Sequence, residues 1–408
     1  MTKSNKKICI ITGGRADYDL LKPLMEKLKV SKNFNLKIAA TGSHFLKNQN
    51  TYKKIKKDGL KINYKKKINY KDDTNSSILN FLADGIKKFN NLFKKEKFNA
   101  ILVLGDRYEI FSAVISASFY RIPIIHLSGG EVTEGAIDES IRHSITKFSS
   151  YHFVAHSSYK NRVKQLGENP KNIFTVGGTG VEDIYKINLL SKKEIEKKFK
   201  FKFGKENYLV TFHPVTFEPD YGINQLKVLL YFLSKKKEAT IIFTLPNSDI
   251  NNYKIINLIK NFVNTNKKSR YFLSLGKKNY FSIIKHINAV VGNSSSGLSE
   301  VPSFKKPTIN LGNRQKGRIS TNSVINIDHV NMTNLKKAFD KINRRDFKRK
   351  LIKVKNPYFQ KNTSKKIINI LNKLNLKKTN LKKFNDLKKI KYEKIILVQK
   401  LCHNVNKT

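Results

Sequence analysis

The sequence predicts an α/β protein of two domains, each built on a parallel sheet, and three observations carry that expectation. The chain has 408 residues, more than one hydrophobic core ordinarily serves. Short apolar runs rich in Ile, Val and Phe alternate with segments of helical periodicity, the signature of parallel β-α units. The alternation occurs twice: a second series opens near Tyr208, after a Lys-rich stretch at about 190–206 that marks the domain boundary.

In the first series, strands are predicted at Ile8–Thr12, Leu36–Ala40, Ala100–Leu104, Pro123–Leu127 and His152–Ala155. Between them, YDLLKPLMEKLKV, SSILNFLADGIKKFNNLFKK and YEIFSAVISASFY read as helices. The second series offers strands at Tyr208–Phe212, Thr240–Leu245, Ala289–Val291 and Thr308–Leu311. Beyond the turn NPYF, at 356–359, SKKIINILNKL reads as one more amphipathic helix. After about residue 376 the chain is rich in Lys and Asn, and its apolar run IILVQKL fits either a helix or an unstructured tail.

Composition excludes several function classes. Apolar residues make up 39%, yet no run of about 18 occurs, so neither a membrane span nor a signal peptide is expected, and the chain reads as cytoplasmic. Cys9 lies in the first apolar stretch and Cys402 in the polar tail, which argues against a disulfide framework or a zinc site. There is no GxGxxG, Walker A or HExxH motif. The net charge of +51, from 81 Lys and Arg against 30 Asp and Glu, invites a polyanion-binding reading. The excess is mostly Lys scattered among Asn and Ile, without the Arg forks that favour phosphate or guanine recognition. It reads as a solvated surface, with weak polyanion attraction as the alternative and no specific nucleic-acid partner. Residues 101–150 run against the trend, with six acids and four Lys or Arg.

In open parallel sheets, ligands bind beyond the carboxyl ends of the strands, where helix starts and free N–H groups converge. After the first strand, GGRADY places Arg15 there. After the strands at 100–104 and 123–127, GDRYE places Asp106 and Arg107, and SGGE places Glu131. The segment GGEVTEGAIDESIRHSITK, at 129–147, holds four acids within nine positions. Ile137, Ile141, Ile145 and Phe148 recur at helical spacing, predicting a helix with a buried apolar stripe. Asp138 falls near its start, facing the loop of Glu131, while Asp138 with Arg142 and Glu139 with His143 form i,i+4 pairs. Asp106, Glu131 and Asp138 thus converge on one pocket. Three carboxylates that close predict at least one raised pKa, which supplies an acid and a base near neutrality. Glu134 and Glu139 read as complements to the helix dipole.

The second series carries different chemistry at its strand ends. LVTFHP supplies His213, FTLPNSD supplies Asn247, and INLGNRQKGR supplies Arg314 and then Arg318. VVGNSSSGLSE sets Ser294 and Ser295 in a small-residue turn opening a helix, with Glu300 one turn further on. Small residues there let N–H groups approach a phosphate, and a carboxylate such as Glu300 accepts from both hydroxyls of a ribose. The assembly suits a nucleoside diphosphate; an ordinary Ser-rich turn is the alternative. His126 reads as a core histidine. His152 and His156 stand roughly 13 Å apart along a strand, too far for a metal pair.

The motifs GGRADY, TGSHF, LGDRYE, GGEVTEGAIDESIRHSITK, HPVT, LPNSD, GNSSSGLSE and NLGNRQKGR come in the order seen in hydrolysing UDP-N-acetylglucosamine 2-epimerases. The chain resembles that family from about residue 6 to 372, and TEGAIDESIRHSITK resembles the hydrolysing branch rather than the VEAG segment of the non-hydrolysing one. The resemblance implies two Rossmann-like, doubly wound domains facing across a cleft. Residues 1–188 would form the sugar-side, acid-base domain, 205–355 the UDP-side domain, 356–375 a helix returning to the first domain, and 376–408 a Lys-rich tail.

By the same resemblance, UDP-N-acetylglucosamine and water give N-acetylmannosamine and UDP, the opening step of sialic acid synthesis, without metal or other cofactor. Asp106, Glu131, Asp138 and His213 match positions assigned to acid-base work. Arg15, Arg107, Asn247, Ser294, Ser295, Glu300 and Arg314 match positions that hold UDP. Asp19 departs from the small residue usual after RADY, and NPYF lacks its usual following glycines. The nearest alternative is the same reaction on UDP-2,4-diacetamido-2,4,6-trideoxyglucose, in legionaminic acid synthesis. A glycosyltransferase of this architecture and a Lys-rich polyanion-binding protein are the others. Family members commonly assemble, so a homodimer or homotetramer is expected.

Overall fold

Seven parallel strands form the first sheet, in the order β3-β2-β1-β4-β5-β6-β7. They are β1 (Lys6–Thr12), β2 (Phe34–Thr41), β3 (Tyr64–Lys66), β4 (Ala100–Leu104), β5 (Ile124–Leu127), β6 (Tyr151–Val154) and β7 (Ile173–Thr175). A second sheet of six parallel strands runs β10-β9-β8-β11-β12-β13. It comprises β8 (Glu206–Thr211), β9 (Ala239–Thr244), β10 (Ser269–Phe272), β11 (Ala289–Gly292), β12 (Thr308–Leu311) and β13 (Val324–Ile327). The computed structural model describes residues 5–46, 51–68, 72, 74–246, 251–376 and 382–387.

The central strands explain the architecture. All of AILVL in β4 and ATIIFT in β9 is buried, as strands covered by helices on both faces require. Strand order reverses between β1 and β4 and again between β8 and β11. Each reversal opens a crevice at the carboxyl ends of the strands. The helix Arg15–Val30 buries Tyr18, Leu21, Leu24 and Leu28 in the same core as Ile367 and Leu371 of the helix Thr363–Lys373. The C-terminal helix therefore lies against the first domain, where Lys6 Nζ donates to the carbonyls of Leu371 and Leu374 at 2.8 and 2.7 Å. Such a lysine complements the negative end of the helix.

The predicted strands appear, but β3, β7, β10 and β13 were not expected, and each is a sheet edge. The helix over 138–148 also differs from its prediction. Its outer residues Ile137 and Phe148 are 38% and 40% exposed, while Arg142 and Thr146 are buried beside Ile145. The buried face of this helix is thus mixed, with Ile145 in the core and Arg142 and Thr146 beside it. The helix after the serine turn is only Ser296–Ser299, followed by the 3-10 turn Val301–Phe304 with Pro302 in its first turn. The run IILVQKL and Cys402 lie outside the described residues. Within the tail, Lys382 Nζ donates to the carbonyl of Ser149 at 2.8 Å and pairs with Glu168 at 2.8 Å. That ties a piece of the tail to the far end of the helix Asp138–Phe148.

Two features of the fold give measurable consequences. Gly292 closes β11 at φ +129°, and a Cβ there would stand 2.0 Å from the Thr211 carbonyl oxygen. Gly292→Ala is expected to destabilise the protein by about 2–4 kcal/mol, read as an earlier urea midpoint. Asp17 accepts the N–H groups of Gly13 and Gly14 at 2.8 Å each, which fixes the turn from β1 into its helix. Burial pushes its pKa from 3.8 up to about 6, with Glu109 adding to the rise. Across that window the unfolded chain holds fewer protons than the folded one, so stability falls as pH rises, by ~3 kcal/mol at most. Urea unfolding at both ends of the window is expected to show this fall in the native protein and not in Asp17→Asn.

Candidate active site

A cavity of about 370 Å³ lies between the carboxyl ends of the two sheets. Arg15, Asp106, Arg107, Glu131, Asp138, His213, Ser294, Ser295, Glu300 and Arg314 all line it. The structure therefore gathers every site residue expected from the sequence except Asn247, which lies outside the described residues.

The first domain contributes the acids, and each faces an arginine. Asp106 follows β4 and ion-pairs with Arg142, which is 1% exposed. The Arg142 fork also reaches the Glu131 carbonyl at 2.9 Å, Glu139 Oε2 at 2.8 Å and Thr133 Oγ1 at 2.9 Å. Glu131 Oε2 meets Arg318 of the second domain at 2.9 Å. Asp138 opens its helix with Oδ1 4.0 Å from Arg107 Nη1. The expected Asp138–Arg142 pairing gives way to Arg107 with Asp138 and Arg142 with Asp106 and Glu139. Glu139 with His143 forms as expected, at 2.9 Å.

The arginines set the charge of Asp106. Burial works to raise the Asp106 pKa, but the charge and hydrogen bond of Arg142, with Arg318 and Arg107 behind, hold it below the usual carboxylate range. Asp106 is an anion at neutral pH. Burial likewise opposes the charge of Arg142, and Asp106 and Glu131 more than offset it, so that its pKa rises. Two other carboxyls of the cavity, Asp17 and Glu300, are raised. Glu300 is raised chiefly by burial, against a hydrogen bond that Ser296 Oγ donates to Oε2 at 2.5 Å.

The second domain supplies donors. His213 is 7% exposed, and its backbone is locked to Asn293: the His213 N–H donates to Asn293 Oδ1 at 2.7 Å, and Asn293 Nδ2 donates back to the His213 carbonyl at 2.8 Å. Arg314 Nη1 donates to the Asn293 carbonyl at 3.2 Å, so one asparagine ties together three strand-end loops. Arg15 crosses from the first domain to the Leu273 carbonyl at 3.2 Å. Lys277 Nζ is buried without a hydrogen-bond partner among the described residues, 3.8 Å from Asp183.

The sequence pointed to no site role for Arg142, Lys277 or Asp17, all of which line the cavity, and it set Arg318 beside Arg314 on the diphosphate side, whereas the structure pairs it with Glu131. Arg142 carried a usable signal: it is an arginine within an acid-rich segment of a chain whose basic excess is lysine. His126 is a core histidine, between Thr146 Oγ1 at 3.1 Å and the Gly105 carbonyl at 2.8 Å. His152 meets Glu168 at 3.1 Å, and His156 caps the helix Ser157–Gln165. Among the described residues there is no group of three or more metal-ligating side chains, and no helix is long and apolar enough to cross a membrane.

Comparisons with known proteins agree with this geometry. The sequence profile described as UDP-N-acetylglucosamine 2-epimerase matches residues 26–372. The chain is 40% identical to the GDP/UDP-N,N'-diacetylbacillosamine 2-epimerase (hydrolyzing) of Campylobacter jejuni over 347 residues, covering 85% of this chain and 89% of that one. It is 36% identical to the polysialic acid biosynthesis protein P7 of Escherichia coli, covering 90% and 93%. The crystal structure of UDP-GlcNAc 2-epimerase from Neisseria meningitidis bound to UDP-GlcNAc shares the fold, with a TM-score of 0.77 at 18% identity over 90% of this chain and 100% of that one. Two parallel-sheet domains, a cleft of paired acids and arginines, and a profile spanning both domains lead to one conclusion: the chain belongs to the UDP-N-acetylglucosamine 2-epimerase family.

Proposed function

We propose that this protein is a hydrolysing 2-epimerase of UDP-linked 2-acetamido sugars, with Asp106, Glu131, Asp138 and His213 as its acid-base residues. The supporting observation is the division of the cavity: Asp106, Glu131 and Asp138 line the first-domain wall, Asp106 as an anion, and a wall with His213, the serine turn and Arg314 faces it. Arg15, Arg107, Ser294, Ser295, Glu300 and Arg314, with Asn247, hold UDP in this reading. The diacetylated sugar UDP-2,4-diacetamido-2,4,6-trideoxyglucose is the favoured substrate, because the Campylobacter jejuni relative carries that sugar in its name. UDP-N-acetylglucosamine is the second reading, supported by the family profile and by the likeness to the Escherichia coli protein. Cytoplasmic residence and homo-oligomeric assembly belong to the same reading and rest on the resemblance.

The chemistry follows from the charges. A carboxylate takes the C2 proton of the sugar while the C1–O bond to UDP breaks, giving a 2-acetamidoglycal and UDP. Positive charge grows on the anomeric carbon during that step, and the Asp106 anion lowers its energy. Arg15, Arg314 and His213 offset the charge arriving on the diphosphate. Water then adds across the glycal, hydroxide at C1 and a proton at C2 on the opposite face. The products are UDP and the free sugar of inverted C2 configuration. Glu131 and Asp138 share the two proton transfers at C2.

Incubation of each UDP-sugar with the protein in heavy water, followed by NMR, tests this reading. The expected products are UDP and a free manno-configured sugar deuterated at C2, formed faster from the diacetamido substrate. Retention of UDP on the epimerised sugar would place the chain in the non-hydrolysing class, and a requirement for an acceptor would make it a glycosyltransferase. Asp106→Asn is expected to lower kcat by about 100-fold or more, while calorimetry still detects UDP binding. A polyanion-binding protein would instead bind DNA or RNA in a steeply salt-dependent way that Asp106→Asn leaves intact.

A further inference from the structure

Arg318 belongs to the second domain, yet its side chain is spent on the first. Nη2 lies 2.9 Å from Glu131 Oε2 and Nε donates to the Val132 carbonyl at 3.3 Å. The guanidinium is 7% exposed and Glu131 is 12% exposed, so the pair is shielded from water. The loops that carry it press closely together: a Cβ at Gly317 would stand 2.5 Å from Val132 Cγ1 and 2.8 Å from Glu134 Oε1. Two further bonds join the same loop to the second domain, from Ile137 N–H to Thr216 Oγ1 at 2.9 Å and from Phe217 N–H to the Gly135 carbonyl at 3.3 Å. The first domain fixes the Glu131 backbone, through Arg142 on its carbonyl, whereas the carboxylate is gripped from across the cleft.

We propose that Arg318 is a positioning residue that completes the acid-base set only when the two domains are closed on one another, by aiming and holding the Glu131 carboxylate. Opening the cleft would carry the guanidinium away and release the carboxylate, so proton transfer at C2 is confined to the closed, water-poor cavity. A glycal exposed to solvent before hydration at the correct face would be lost to side products, and the clamp prevents proton abstraction in that open state. The inference rests on the hydrolysing 2-epimerase reading. A planar donor that reaches the Glu131 carboxylate and the Val132 carbonyl at once suits the task, and lysine, a single point charge, would aim the carboxylate less well.

Kinetics of Arg318→Met and Arg318→Lys, alone and combined with Glu131→Gln, test the proposal. Arg318→Met is expected to lower kcat about 100-fold, with KM and the UDP dissociation constant changed less than about threefold; Arg318→Lys should fall between it and the native protein. Because Arg318 acts through Glu131, adding Arg318→Met to Glu131→Gln should cost no more than about a further twofold. Additive losses in the double variant, an equal loss of UDP affinity, or native kcat in Arg318→Met would each overturn the proposal, the second by making Arg318 a diphosphate ligand. If Arg318→Met does not fold, as circular dichroism would show, the Arg318→Lys pair of measurements carries the same cycle. Absence of UDP release by the native protein from either sugar would overturn the functional reading and this inference together; a native rate in Arg318→Met overturns this inference alone.

Discussion

The site depends on one buried cation. Arg142 is almost fully enclosed, and a charge so placed is tolerated only when its donors are matched and its charge is balanced. Its partners come from three separate pieces of the first domain: Asp106 after β4, the Glu131 carbonyl and Thr133 in the loop after β5, and Glu139 on its own helix. The guanidinium thus converts three independent loop positions into one rigid constellation. Removing one partner of such a pair typically costs about 3–5 kcal/mol, because the other charge stays buried. That cost favours a single arrangement, in which Asp106 and the backbone of Glu131 hold a fixed relation within the first domain.

The same constraint accounts for the odd distribution of charge along the chain. A net charge of +51 is tolerated on a wet surface, where lysines are spread apart and screened. Inside the cavity, charge must be paired locally, and the three acids of the first-domain strand ends are each paired with arginine: Asp106 with Arg142, Glu131 with Arg318, Asp138 with Arg107. Lysine offers one compact point charge, whereas arginine offers a planar fork that satisfies several acceptors at once. The acids of residues 129–147 are therefore not an exception to the basic composition but its buried counterpart.

The central strands and most of the site loops were legible from the sequence because both obey strong local rules. Strands buried on two faces read as unbroken apolar runs, and AILVL or ATIIFT admits few other interpretations. The edges did not read as strands. YKK in β3 and SRYF in β10 are short, half wet and carry basic residues, the features by which edges resist pairing with other chains, and these same features remove the hydrophobic signal. The helix Asp138–Phe148 was only half legible for a related reason: its isoleucine spacing was real and Ile145 is buried, but Arg142 and Thr146 are buried beside it against polar partners elsewhere in the domain. Apolar periodicity records burial against a core and is silent about burial against a polar network. The pairing of Arg318 with Glu131, far apart in the chain, has no local signature at all.

Asp106 and Glu300 differ in whether a guanidinium is within reach. Asp106 has one and stays ionised below the ordinary range, beside the atom where positive charge is proposed to develop. Glu300 is raised by burial and leans on a neutral hydroxyl, Ser296. A full negative charge at Glu300 would repel a nucleotide diphosphate; a carboxyl that holds its proton more readily repels it less and still offers oxygens to ribose hydroxyls. Two carboxyls of one cavity, Asp106 and Glu300, are thus tuned in opposite directions by a difference of neighbours. The fold makes this possible because each wall is the carboxyl edge of a different sheet, so that the surroundings of each carboxyl are set by a separate group of strand-end loops.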